Sequence, residues 1–329
     1  MRTPVSTRCG LLAVAAAILA GCSSARPAAA PGMLPATAAV PVSKRDESWM
    51  LPAATGKDLL YSAGGRDNMH VYVFTYPDGK RVGRLGGFWD PGTAMCVDSL
   101  QNVWISNGNP GEMIEYAHGG SQPLATLADA YGLPTGCSVD STTGNLAVAN
   151  EFGSSSGPYS SILVYPNGQG TPTVYTINNY EYINGCAYDG SGNLYAIGWI
   201  YNKGTHMAVL PAGGSQFKEL NFTGSLTAGW LQWRGTDLYA GNYPSAVDQL
   251  AVNGSNVTVK KTITLDESKN AQDFFVNGST IIAHVLTRYG AVGFWKLPAG
   301  GNPVKIIPDA PHEKGFIQYG VAVSLAGSR

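Results

Sequence analysis

The amino-acid sequence predicts an all-β fold: a six-bladed β-propeller in which a C-terminal strand closes the first blade. Three observations predict it. One unit of short apolar strands and tight polar turns recurs along the chain. Its period lies in the forties, the length of a four-stranded blade. The first copy lacks an opening strand, and the last stretch of the chain supplies one. The unit is plainest from Thr135 to Tyr165, TGCSVDSTTGNLAVANEFGSSSGPYSSILVY, where apolar strands are separated by a polar turn and a longer loop. It returns as TAMCVDSLQNVWISN from Thr93 and NGCAYDGSGNLYAIG from Asn184, and more loosely as AGWLQWRGTDLYAGN from Ala228 and AQDFFVNGSTIIAHV from Ala271.

The N-terminal segment stands outside the repeat. Arg2 and Arg8 flank the start of an apolar run, Leu11 to Ala20. That run is too short to span a bilayer and suits a cleaved signal over residues 1–21. It ends in Leu19-Ala20-Gly21-Cys22, which resembles a bacterial lipobox. The resemblance implies diacylglycerol on the Cys22 thiol and an extracytoplasmic, lipid-anchored protein. Ser23 at the next position resembles an outer-membrane address in a Gram-negative cell. Residues 22–48 are rich in Ala, Pro, Ser and Thr, a composition that buries no core and is expected to form a flexible tether. The propeller is expected over residues 49–329.

Its strands follow in order. Leu59–Gly65, His70–Pro77 and Arg81–Gly86 read as strands b, c and d of a blade without a strand a. The second blade reads Ala94–Asp98, Val103–Asn107, Met113–Ala117 and Pro123–Leu127. The third reads Gly136–Asp140, Leu146–Asn150, Ser161–Pro166 and Pro172–Ile177. The fourth opens at Gly185, the fifth at Gly229 and the sixth at Gln272. Tyr319–Ser324 reads as the missing strand a of the first blade, which removes exposed sheet edges. The residue ending each strand a serves as a ruler. Asp98, Asp140 and Asp189 are 42 and 49 residues apart, and Trp233 and Val276 take the same place 44 and 43 residues further on. The a–b turns (DSTTGN, DGSGN) and c–d turns (AHGGSQ, PAGGSQ) place Gly and Asn where tight hairpins need positive φ.

Composition limits function. Charged residues make up 13% of the chain, the net charge is −1, and no basic run follows the leader, which excludes a nucleic-acid binder. Cys9 and Cys22 belong to the leader, leaving Cys96, Cys137 and Cys186, each on the first strand of a repeat. An odd number describes no disulfide framework, so these three read as small buried apolar side chains. A single disulfide stands as the alternative.

Two stretches carry a family resemblance. D-x-x-x-G-N-L-x-x-A at 140–149 and D-G-S-G-N-L-Y-x-I at 189–197 resemble NHL-repeat and SMP-30/gluconolactonase-like propellers. The resemblance covers nearly all of residues 57–326 and implies the propeller architecture. For the lactonase branch it implies a divalent cation near the axis, held by Glu, Asn and Asp beside the Gly that opens each first strand. Here those places hold Thr93, Thr135, Asn184, Ala228, Ala271 and Tyr319. Only Asn184 matches, which makes it the one metal-ligand candidate, with Asp273 two residues inside its strand. No cofactor is expected unless that cation is used.

Up-and-down blades place b–c loops and d–a connections on one face. Here those segments are long and aromatic: GFWDPG (87–92), EFGSSSGPYS (151–160), NNYEYI (178–183), GWIYNKGT (198–205) and GNYPSAV (241–247). Exposed Trp and Tyr offer stacking area at modest entropic cost, so binding is expected on this face through Trp199, Tyr201 and Tyr243. Trp104 and Trp295, inside strands, are expected to pack between blades. The ends of strand b form a ring of Gly64, Asn107, Asn150, Gly198, Asn242 and Val285. Asn107, Asn150 and Asn242 read either as amides lining the channel or as strand-end caps. Glu151 and His284 adjoin the ring and add a charge or a ligand, with a structural role for His284 as the alternative.

The catalytic motifs fail on context. Gly153–Gly157 matches G-x-S-x-G but lacks the strand-to-helix turn of a nucleophile elbow. Asp189–Asn193 lacks the distal Glu of a calcium loop and reads as a hairpin, and the five His show no metal-ligand spacing. The leading reading is a monomeric envelope lipoprotein, anchored by its N-terminal lipid, with a binding or scaffold domain for a protein or glycan. The alternative is a metal-dependent SMP-30-like hydrolase or lyase that uses Asn150, Glu151 and Asn184.

Overall fold

The structure is a computed structural model that describes residues 48–63, 70–88, 91–108, 111–153, 160–268, 270–285, 291–308 and 320–327. The expectations for residues 1–47, and for Gly64, Gly65, Trp89, Asp90, Ser154–Gly157 and Tyr319, lie outside those residues.

A two-residue strand β1 (Trp49–Met50) precedes β2 (Leu59–Ala63), β3 (Val71–Thr75) and β4 (Arg81–Leu85). Then come β5 (Pro91–Val97), β6 (Val103–Asn107), β7 (Glu112–Tyr116) and β8 (Pro123–Ala128). They are followed by β9 (Gly132–Val139), β10 (Leu146–Gly153), β11 (Ser161–Tyr165) and β12 (Thr173–Tyr175). The next four are β13 (Tyr182–Tyr188), β14 (Leu194–Ile200), β15 (Gly204–Leu210) and β16 (Lys218–Thr223). β17 (Ala228–Arg234), β18 (Asp237–Asn242), β19 (Ala246–Asn253) and β20 (Asn256–Thr264) form a further set. β21 (Asn270–Asn277), β22 (Thr280–Val285), β23 (Ala291–Lys296), β24 (Lys305–Pro308) and finally β25 (Val321–Ser324) complete the order.

These strands make an all-β, propeller-like arrangement of antiparallel meanders. β25 returns to pair with β2, Leu60 opposite Val323, so the C-terminal strand completes the first sheet as expected. β1 adds to the outer edge of that sheet beside β4, which the sequence did not announce. Among the described residues the hydrogen-bonded sheets number five, because one of them has eight strands. In it the outer strands β16 and β20 run parallel and pair over Asn221–Thr223 and Asn256–Thr258, fusing two four-stranded meanders.

Apolar clusters fill the spaces between meanders. Trp104, Met113, Leu146 and Leu163 meet between the β5–β8 and β9–β12 sets. Ile162, Ile183, Cys186 and Leu194 meet between the next two. Leu60, Phe74, Ile282 and Val321 join the last meander to the first. Trp104 and Trp295 are 3% and 0% exposed, buried as predicted. Each fully buried Leu, Ile or Phe contributes about 1.5–3 kcal/mol relative to exposure. Strands β2, β6 and β11 are buried at every position, so their short, largely apolar runs tie fold to composition.

The ruler residues close the a–b turns. Asp98 accepts from the Asn102 backbone at 2.8 Å, Asp140 from Thr142 N at 2.9 Å, and Asp189 from Ser191 N and Asn193 N at 2.8 and 2.9 Å. An Asp that caps its own turn explains the D-x-x-x-G-N spacing without a metal. The opening glycines have a different cause. A Cβ on Gly136 would lie 2.9 Å from Gly185 Cα, and one on Gly185 would lie 2.8 Å from Leu231 N. The innermost strands approach too closely there for any side chain.

Cys96 and Cys137 form a disulfide across adjacent inner strands, with their Cα atoms 5.7 Å apart. This corrects the expectation of three unlinked small side chains. The two cysteines sit on facing sides of neighbouring sheets, a proximity that no count of cysteines reveals. Cys186 is buried and free, as predicted, and burial pushes its thiol up to about 12.

Candidate functional site

Five of the first strands carry a register shift near the end where b–c hairpins and d–a connections lie. In β9, Gly136 pairs with Ala149 and Pro134 with Asn150, which leaves Thr135 extra. In β13 the extra residue is Asn184. In β17, Gly229 and Trp230 share the bulge, and in β21 Ala271–Asp273 fall between the Asn270–His284 and Phe274–Ala283 pairs. A bulge breaks the two-residue alternation and re-aims a side chain, and bulges gather at functional sites. Counted from the a–b turn, where Val139, Tyr188, Trp233 and Val276 pair with Leu146, Leu194, Leu238 and Ile281, Trp230 and Asp273 correspond to Gly136 and Gly185, and Thr135 and Asn184 stand one place further along. Thr135 Oγ1 donates to Ile183 O at 3.0 Å, tying two neighbouring inner strands.

Asp273 is the most unusual of these. It is 9% exposed, and among the described residues no side chain donates it a hydrogen bond. Burial, reinforced by the charge of Glu151, pushes its carboxyl up to about 8. Glu151 comes from β10 in another meander, and burial raises its own pKa. Two acidic groups from separate sheets are thus linked through the charge of Glu151 acting on Asp273. Such perturbed groups mark candidate sites because the fold accepts a cost to keep them.

The Asn ring is tied into the protein. Asn107 Nδ2 donates to Glu112 at 3.2 Å, Asn150 Nδ2 to Asp129 at 3.2 Å, and Asn242 Nδ2 to Asp248 at 2.9 Å. Asn242 Oδ1 also accepts from Thr227 N at 3.1 Å, joining strand end to d–a connection. Asn107 and Asn150 are buried. Burial pushes Asp129 up to about 6, against hydrogen bonds from Tyr131 N and Asn150. Its Oδ2 and Asn150 Oδ1 are both buried without a partner. His284 is 1% exposed with Nε2 3.3 Å from Ser62 Oγ, and burial lowers its pKa to about 4, so it is neutral at ordinary pH.

Directly after the ring positions Asn150, Gly198 and Asn242 come Glu151, Trp199 and Tyr243, the same place in three consecutive meanders. Trp199 pairs with Tyr182 and Thr205 and is 36% exposed. Tyr201 is 67% and Tyr243 53% exposed. The β14–β15 hairpin runs past the ring level, so Trp199 and Tyr201 project from it. The charge of Glu151 raises the pKa of Asp273, Asn184 lies in the bulge of β13, and Asn107, Asn150, Asn242 and His284 are held in internal contacts.

A cavity of about 390 Å³ lies at the opposite end, among the a–b turns. β5, β9, β13, β17, β21 and the β25 end all contribute to its wall, including Ser138, Tyr188, Gln232, Trp233 and Phe275. Gln232 bridges inner strands there, accepting from Val276 N at 2.6 Å and donating to Val276 O at 3.2 Å. The sequence reading placed no site at this end. Its one signal was the aromatic character of Tyr188, Trp233 and Phe275 at or beside the ruler position. Among the described residues no three His, Cys, Asp or Glu side chains converge as a metal cluster.

No family model matches the chain, and no curated protein matches it. Solved structures do. The chain is similar to one in the crystal structure of a nidogen/laminin complex, at 14% identity and TM-score 0.61, covering 82% of this chain and 98% of that one. It also matches the structure of U3-55K at 11% identity and TM-score 0.49, covering 82% and 72%. In all, 1071 chains match, so the arrangement is common and selects no single function.

Proposed function

We propose that the chain is an envelope lipoprotein whose six-bladed β-propeller, of NHL or SMP-30-like type, serves as a binding or scaffold domain. Counting the eight-stranded sheet as two blades zipped at their outer strands gives six. Three features support the export and anchor: the Leu19–Cys22 lipobox, the apolar leader before it, and the Cys96–Cys137 disulfide, since such bonds persist in oxidising compartments outside the cytoplasm. The observation that carries the binding reading is the placement of Trp199, Tyr201 and Tyr243, exposed at the b–c end beside Glu151, whose charge acts on the buried Asp273. Exposed aromatics beside unpaired polar groups make a recognition surface. The similar nidogen/laminin chain belongs to a protein complex, which keeps a protein beside a glycan as partner class. The test is capture from envelope extract and a glycan array, each followed by affinity measurement. Alanine at Trp199 and Tyr243 should weaken binding about tenfold or more, the effect of losing a side chain worth over 1 kcal/mol. Unchanged affinity would remove the site from this face.

A second reading keeps the metal-dependent hydrolase. It is favoured by Asn184 and Asp273 both lying in bulges of inner strands, with the charge of Glu151 acting on Asp273. A hard cation takes six to eight oxygen ligands. These residues would supply two carboxylates and one amide, which falls short, and no step through a metal is derived.

A further inference from the structure

We propose that the face bearing the b–c hairpins is a membrane-docking face, on which Trp49, Trp199, Tyr201 and Tyr243 seat in the interfacial layer of the bilayer that anchors the chain. The inference rests on the lipoprotein reading above and names what covers its aromatic rim.

Two independent observations point the same way. The first is the sorting of exposed apolar side chains between the two ends of the meanders. Among the described residues the exposed large aromatics are Trp49, Trp199, Tyr201 and Tyr243. Tyr201 lies at the tip of the β14–β15 hairpin, Trp199 in it, and Tyr243 directly after β18, all at the b–c end. Trp49 pairs with Arg84, at the end of β4 nearest the same face. Of the exposed aliphatics among the described residues, Leu100, Leu124 and Val304 lie at the other end, in or beside a–b and c–d turns, and Leu51 follows β1 opposite Val82 of β4. Trp and Tyr favour the membrane–water interface because the ring is apolar and one edge is polar. Exposed Lys203 follows Tyr201 at the hairpin tip, where it would meet lipid phosphates.

The second observation is where the tether joins. β4 is the outer strand of its meander and runs toward the d–a connection, on the same face as the b–c hairpins. β1 is antiparallel to β4, with Trp49 opposite Arg84 and Met50 opposite Gly83. Ser48 Oγ accepts from Gly86 N at 2.9 Å. The chain from the anchor therefore enters the domain at the aromatic face. Cys22 lies 26 residues before Ser48. A chain of that length reaches at most about 90 Å. The anchor is thus close enough for the face to reach the bilayer. In this orientation the mouth holding Glu151 and Asp273 opens toward the membrane surface, and the cavity at the a–b turns looks away from it.

Two variants of the full chain test this: Tyr201→Cys on the proposed docking face and Leu100→Cys on the opposite face. Each is labelled with an environment-sensitive fluorophore. Cys186 is buried, Cys96 and Cys137 are bonded, and Cys22 carries the lipid in this reading, so the introduced thiol takes the label. The proteins are made with their leader and reconstituted in phospholipid vesicles that contain doxyl-labelled acyl chains. The label at position 201 should be quenched several-fold more than that at 100. Equal quenching, or stronger quenching at 100, on protein that sediments with the vesicles overturns the docking while the anchor stands. Unquenched labels on protein left in the supernatant overturn the anchor and the docking together.

Discussion

Replacing Asp273 by Asn removes a buried carboxyl that ionises only at the expense of the folded state. The carboxyl moves from an ordinary 3.8 to about 8 on folding. A group whose folded pKa is raised contributes stability fully below the unfolded value and loses it as pH rises through the folded one. The native state therefore weakens from about pH 4 and levels off above pH 8. At 1.36 kcal/mol per pKa unit, the full span is on the order of 5 kcal/mol, and about 4 kcal/mol of it falls between pH 5 and 8.5. The Asn amide brings its own pH-independent cost of about 1–3 kcal/mol if its donors go unmet. The assay is urea denaturation of both proteins at pH 5, 7 and 8.5, reading the change in their difference. The stability of D273N relative to the parent should rise by several kcal/mol across that range. A difference constant with pH would refute the buried, unpaired carboxyl.

Other expected outcomes follow from separate parts of the structure. The disulfide closes a separation of 41 residues, which in the chain-entropy account is worth about 4 kcal/mol. The C96A/C137A variant should lose that order of stability in urea, whereas Cys186→Ala should lose far less. Gly185→Ala would press a methyl on the Leu231 backbone and should cost about 1–3 kcal/mol, read as a lower urea midpoint with unchanged slope. His284 has a folded pKa lowered from 6.5 to about 4, so stability should fall as pH drops through 6.5 and level off below 4. That loss is about 3 kcal/mol, and His284→Gln should abolish it in an acid denaturation series.

The strands were legible because their causes are local. Short apolar runs, Gly and Asn in turns, and Asp98, Asp140 and Asp189 capping their own turns all leave marks within a few residues. The return of β25 to β2 was legible because one repeat lacked a strand and another stretch held one. What escaped the sequence depends on neighbours far apart along the chain. The pairing of β16 with β20, the contact of Cys96 with Cys137, and the edge position of β1 are set by how sheets meet. The candidate site divides the same way. Trp199, Tyr201 and Tyr243 were found because loop aromatics are conspicuous. Asp273 drew notice only by its place in the strand, since its meeting with Glu151 depends on bulges that shift register. The acidic partners of Asn107, Asn150 and Asn242 were not read at all. Neither was the cavity at the a–b end, because the polar residues around it look like ordinary turns.

The central claim is a binding domain rather than a metal enzyme, and one thermal-unfolding series tests it directly. The purified protein is melted as prepared, after EDTA, and after Ca²⁺ or Zn²⁺ is restored. A ion bound only to the folded state at a hundred times its dissociation constant adds about 2.7 kcal/mol, a shift of several degrees for a domain of this size. The account predicts the same melting temperature in all three conditions. A temperature that falls in EDTA and recovers with one metal would contradict it and give Asn184, Glu151 and Asp273 to a metal centre.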